Sequence, residues 1–99
     1  MKDRILTLHP AGKSGVTIER AKYDQIKSAI LTSLQEVEVL GFKDLGQMVK
    51  IKLAGKFNGS ISWYYTTVKL DLEARGMIER VPNKTPQLLR LQKQESRLA

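Results

Sequence analysis

His9 is the only histidine in the chain, and there is no cysteine. A protein metal site usually needs three or four convergent ligands, and a nucleophile needs a base within reach. Neither set can be assembled here, because the acids are spread over what read as helix surfaces. Gly12-Lys13-Ser14 has the end of a phosphate-loop motif. That motif also needs a glycine five residues before its GK glycine, within a strand–loop–helix unit. The position is Thr7, so His9 and Lys13 read as residues of an exposed turn. The expectation is a protein that is not an enzyme, with no cofactor and no metal.

The remaining chemistry is cationic. The formal net charge is +7 over 99 residues, and its placement is uneven. Residues 1–42 carry six Lys and Arg against five Asp and Glu, whereas residues 43–99 carry eleven against five. Between Asp44 and Asp71 there is no acid, while Lys50, Lys52, Lys56 and Lys69 fall there. A zone of that kind attracts polyanions. No apolar run is long enough for a membrane span, and the apolar segment before His9 is too short for a signal-peptide core. A cytoplasmic protein with no membrane contact is expected.

The elements that must position these cations follow from periodicity. RILTL (residues 4–8) suits a short strand, followed by the loop HPAGKSG. The spacing predicts a first helix over Thr17–Leu34, with Thr17 as cap, Glu19 in the first turn and an apolar stripe of Tyr23, Ile26, Ile30 and Leu34. The Tyr23 hydroxyl is expected at the surface. A short extended segment at Val37–Leu40 precedes a second helix over residues 42–54, with Phe42, Leu45, Val49 and Leu53 inward and Lys43, Lys50 and Lys52 off that stripe. Gly55 and Gly59 mark a turn in which Phe57 plugs the core and Asn58 or Ser60 caps a third helix.

Ser60–Arg80 organises the chain. Ile61, Tyr65, Val68 and Leu72 share one side of a helix, and Gly76 stands where a helix can end in a left-handed residue. Met77–Val81 and Gln87–Leu91 flank Pro82–Pro86 as a hairpin, with Ile78, Leu89 and Leu91 facing inward. The stretch VKLDLEARGMIER resembles the end of the third helix and first wing strand of winged helix-turn-helix domains. With HPAGKSGV and KYDQIKSAIL, it also resembles a group of small, functionally uncharacterised bacterial proteins with a winged-helix core. The resemblance implies an α+β winged helix-turn-helix fold: three helices, a C-terminal β-hairpin wing, and a short N-terminal strand or arm. It divides the chain into an arm at 1–16, a winged-helix domain at 17–91 and a polar tail at 92–99.

On that fold the expected partner is double-stranded DNA, and the expected role is that of a transcriptional regulator. Ser60, Ser62, Thr66, Thr67 and Lys69 of the third helix would reach base edges or phosphates, Lys56 the backbone at the preceding turn, and Arg80, Lys84 and Arg90 the backbone from the wing. One feature opposes this reading. Trp63 and Leu70 lie on the outer face of the same helix, and no arginine occurs between Arg20 and Arg75. Arginine is the commonest bidentate reader of guanine. Trp63 and Leu70 would be covered by the N-terminal strand, by a second copy of the chain or by a partner protein. The alternative function is therefore a protein-interaction or homodimerisation module that uses Trp63 and Leu70 without DNA.

Overall fold

The computed structural model describes residues 3–92. β1 (Arg4–Leu6) and β2 (Thr17–Glu19) form an antiparallel pair with Ile5 opposite Ile18. The period of two buries Ile18 and packs Ile5 against the core, while Leu6 is turned outward. β2 runs straight into α1 (Arg20–Glu36). The first helix thus starts three residues later than its periodicity suggests, and Thr17 is a strand residue rather than a cap. Two β-branched residues in succession suit a strand, and β1 supplies its partner. The backbone N–H of Arg20 bonds the Asp3 carbonyl at 2.9 Å, and Glu19, at the cap position, makes no side-chain capping bond.

After α1 come β3 (Leu40–Gly41), α2 (Phe42–Leu53), α3 (Ile61–Ala74), β4 (Ile78–Arg80) and β5 (Leu88–Leu91). β3, β5 and β4 form an antiparallel sheet in that order. Gly41 pairs with Leu88 and Glu79 with Arg90. The Gly41–Leu88 end of the sheet is therefore where both α2 and the hairpin loop leave it. The architecture is mixed α+β, with three helices and two small antiparallel sheets.

The apolar stripes meet as their spacing requires. Tyr23, Ile26, Ile30 and Leu34 of α1, Leu45, Val49 and Leu53 of α2, and Tyr65, Val68 and Leu72 of α3 are buried together with Ile78 and Leu89 of the hairpin. Each buried aliphatic side chain contributes about 1.5–3 kcal/mol. Phe57 and Ile61 pack against this core from the turn. Phe42, expected inward, lies at the edge: it is 36% exposed, with its ring 4.9 Å from that of Tyr65, which fills the space beneath it.

Both ends of α3 are capped locally. The Ser60 hydroxyl accepts the Trp63 N–H at 3.2 Å. At the other end Gly76 has φ +76, the Met77 N–H bonds the Leu72 carbonyl and the Gly76 N–H bonds the Glu73 carbonyl. That pair of bonds satisfies the last carbonyls of the helix and turns the chain into β4. Among the described residues no helix is long and apolar enough to cross a membrane. Apart from Gln92, the expected polar tail lies outside the described residues, as do residues 1 and 2 of the arm.

Candidate functional site

A groove with a volume of about 270 Å³ lies between α2 and the N-terminal half of α3. Lys43, Gln47 and Lys50 line it from α2, and Ser62 and Thr66 from α3. Lys43, Gln47 and Lys50 are spaced at four and three residues, so one helix face presents all three. That face borders the α2 core stripe of Leu45, Val49 and Leu53, and buried Gly46 lies between the two. Among the described residues, Lys43, Lys50, Lys56 and Lys84 have no carboxylate within ion-pair distance. Lys56 is exposed at the α2–α3 turn. Lys84 is exposed at the tip of the hairpin, which leaves the sheet beside the start of α2.

The other basic residues expected at this surface are engaged. Lys69, expected on the DNA-facing flank of α3, is 3% exposed. Its Nζ donates to Glu73 Oε1 at 3.0 Å and lies 5.4 Å from the centre of the Phe42 ring. Burial lowers the Lys69 pKa from the usual lysine value, and the Glu73 carboxylate opposes the shift. Arg80 Nε donates to the second Glu73 oxygen at 2.9 Å. One carboxylate therefore ties α3 to the hairpin and occupies two of the expected cations. Arg90 Nε donates to Glu79 at 2.6 Å, across the strand pair that sets their register. Ser60 uses its hydroxyl as the helix cap. Ser62 and Thr66 remain exposed, while Thr67 is half-buried beneath the arm.

The arm divides the outer face of α3. The loop after β1 approaches Thr67 and Leu70 with Leu8 and Val16, and Leu6 stands near Ala74. Leu70 is thereby half-buried, whereas Trp63, two turns away, is 47% exposed, with its ring edge-on to that of Tyr64 at 4.9 Å.

The arm is held by a carboxylate of α3. Asp71 is fully buried. It accepts the Leu8 N–H at 2.8 Å, the Tyr23 hydroxyl, and Arg75 Nε at 2.8 Å to one oxygen and 3.0 Å to the other. The Tyr23 hydroxyl is thus an interior donor and not a surface group. Burial, with the adjacent Asp71 carboxylate, pushes its pKa up to about 12. The hydrogen bond to Asp71 raises the pKa of Arg75. A buried carboxylate is tolerable only with such partners.

A protein-family model matches residues 4–89 of the chain, nearly its whole length. The chain belongs to DUF6958. DUF6958 is a family of unknown function, and nothing among curated proteins matches the chain. The match spans β1, all three helices and the hairpin up to Leu89, so the arm is part of what this DUF6958 chain shares with its family.

Two groups of residues in this DUF6958 chain escaped the reading of its sequence. Lys43 was read only as a residue off the core stripe, and Lys50 as part of the acid-free basic zone but not as a contact residue. Their i, i+7 spacing, with Gln47 between, was the available signal that they share a face. Asp71 carried no such signal, since its partners Leu8 and Tyr23 lie 63 and 48 residues away.

Proposed function

We propose that this chain is a winged-helix protein that binds duplex DNA in a regulatory role. The element order α1–β3–α2–α3–β4–β5 with sheet order β3-β5-β4 supports the winged-helix reading, with α3 as recognition helix and the β4–β5 hairpin as wing. The observation that carries the DNA reading is the groove lined together by Lys43 and Lys50, unpaired among the described residues, and by Ser62 and Thr66. Ammonium and hydroxyl donors of this kind suit phosphate oxygens. Lys84 at the wing tip and Lys56 at the turn extend the positive surface in both directions. Lys69, Arg80 and Arg90 support the surface through their carboxylate partners, and in this reading they do not contact DNA.

The test is binding to a mixed-sequence duplex over a range of salt. Each phosphate contacted contributes about −0.9 to the slope of log affinity against log salt, so four lysines give a slope of about −3 to −4. Replacing Lys43, Lys50 and Lys84 together by Glu should lower affinity by at least about a hundredfold at low salt. Equal binding by parent and triple variant overturns the reading.

The exposure of Trp63 favours a second reading, in which Trp63 and Leu70 form a contact with a protein partner or a second copy. Sedimentation of the parent and of Trp63→Ala tests it. A parent that stays monomeric at high concentration and a variant that behaves identically count against it.

A further inference from the structure

Glu73 stands where α3, the hairpin and the lysine groove meet. Its side chain is 7% exposed, and each of its oxygens holds a different cation. Oε1 accepts Lys69 Nζ at 3.0 Å, and Oε2 accepts Arg80 Nε at 2.9 Å. Lys69 Nζ in turn lies 5.4 Å from the centre of the Phe42 ring, and Phe42 opens α2 and lines the groove. A chain of contacts therefore runs from α2 through α3 to β4, with Glu73 as its central member. Charge-assisted hydrogen bonds of this kind are short and directional, and a carboxylate so little exposed is weakly screened by salt.

The outer half of the hairpin depends on such a tie. Its inner half is fixed by the buried Ile78 and Leu89 and by the pairing of β5 with β3. β4 is an edge strand, paired on one side only. Past Arg80 the Val81 N–H still reaches the Leu88 carbonyl at 2.9 Å, but residues 82–86 are all exposed and add nothing to the core. Among the described residues, Arg80 to Glu73 is the one side-chain hydrogen bond between α3 and the hairpin. It falls four residues before Lys84, so it is the last hold that the helix has on the loop carrying this lysine. A cation held in place before binding costs less to order on the ligand.

We infer that Glu73 is a positioning residue for the wing: through Arg80 it fixes the loop that carries Lys84 relative to α3 and the groove lysines. Its effect on affinity rests on the DNA reading, whereas its effect on the wing does not. Two variants cut the tie from opposite ends. Glu73→Gln removes a negative charge and frees Arg80. Arg80→Gln removes a positive charge at an exposed position and leaves the buried Lys69 with its carboxylate, so it carries the test alone if Glu73→Gln fails to fold. Charge by itself shifts duplex affinity in opposite directions in the two variants. Lost positioning instead lowers the contribution of Lys84 in both. Lys84→Glu should weaken duplex binding by about fivefold in the parent, and by less than about twofold in either variant. In the free chain, ¹⁵N relaxation should give lower order parameters at Val81, Lys84 and Thr85 in both variants than in the parent. Unchanged order parameters in Arg80→Gln overturn the inference, whatever the duplex does. So does a Lys84→Glu effect in Arg80→Gln equal to that in the parent. Tighter binding by Glu73→Gln beside weaker binding by Arg80→Gln, with the Lys84 contribution intact in both, also overturns it and makes Arg80 a direct contact. A parent that binds no duplex, with both variants loosening the wing, supports the tie and removes the DNA reading instead.

Discussion

Gly46 in α2 lies against the ring of Tyr65 in α3: a Cβ at position 46 would stand 2.9 Å from Tyr65 Cε2. The ring cannot easily retreat, because Tyr65 is buried and its hydroxyl donates to the Phe42 carbonyl at 2.6 Å. Gly46→Ala gains helix propensity of about 1 kcal/mol but forces the two helices apart, at a cost of about 1–3 kcal/mol for overpacking. The expected outcome is a net loss of about 1 kcal/mol in urea unfolding, and a more stable variant would show that the helices can part freely.

Asp71→Asn should be among the most damaging single-atom changes. The Leu8 N–H, the Tyr23 hydroxyl and Arg75 Nε all donate to this carboxylate. An amide offers one acceptor oxygen and brings two donors into a buried cluster that has none to spare. The loss should be about 2–4 kcal/mol, read from denaturant midpoints. Amide exchange at Leu8 should accelerate beyond what that global loss explains, because the arm loses its anchor.

Alkaline stability should fall from about pH 10. The Tyr23 pKa is about 12 in the folded chain against an ordinary 10.0, so the unfolded chain releases this proton first. The stabilisation from neutral Tyr23 is complete below pH 10 and is lost as pH rises through 12, amounting to about 2–3 kcal/mol. Burial raises the Tyr65 pKa as well and acts in the same direction. Lys69 has the opposite sign, since its lowered pKa relieves a penalty as pH approaches 10.5, and it softens only the start of the fall. Unfolding free energies from pH 8 to 12 test this, and in Tyr23→Phe the slope above pH 10 should be shallower.

Lys69→Met separates a supporting lysine from a binding one. The substitution keeps the aliphatic stem and removes a buried ammonium, while Glu73 retains Arg80. Stability should change by less than about 2 kcal/mol, and duplex affinity should stay within about twofold. A loss of affinity equal to that of Lys43→Glu would return Lys69 to the contact surface.

The helices, the glycine stop at Gly76 and the hairpin were legible because each is set by local spacing. Ile61, Tyr65, Val68 and Leu72 recur at the helical period, and a left-handed residue after Arg75 suits glycine alone at low cost. The boundary between β2 and α1 was less legible. Thr17 fits a cap as well as a strand, and only the pairing of Leu6 with Thr17 decides between them.

The site divides in the same way. Sequence alone determined that the cations crowd the second half of the chain and that Trp63 and Leu70 share the outer face of α3. Tertiary structure decided which of those groups meet water. Lys69 and Asp71 both lie at the margins of the core stripe, where ~100° per residue leaves exposure undetermined. Lys69 is covered because Phe42 and the hairpin close over it, Asp71 because the arm and Tyr23 do, and Trp63 stays in solvent because the arm stops a turn short of it. Burial of a marginal helix position depends on what packs against it from elsewhere in the chain, and the helix's own residues carry no record of that neighbour.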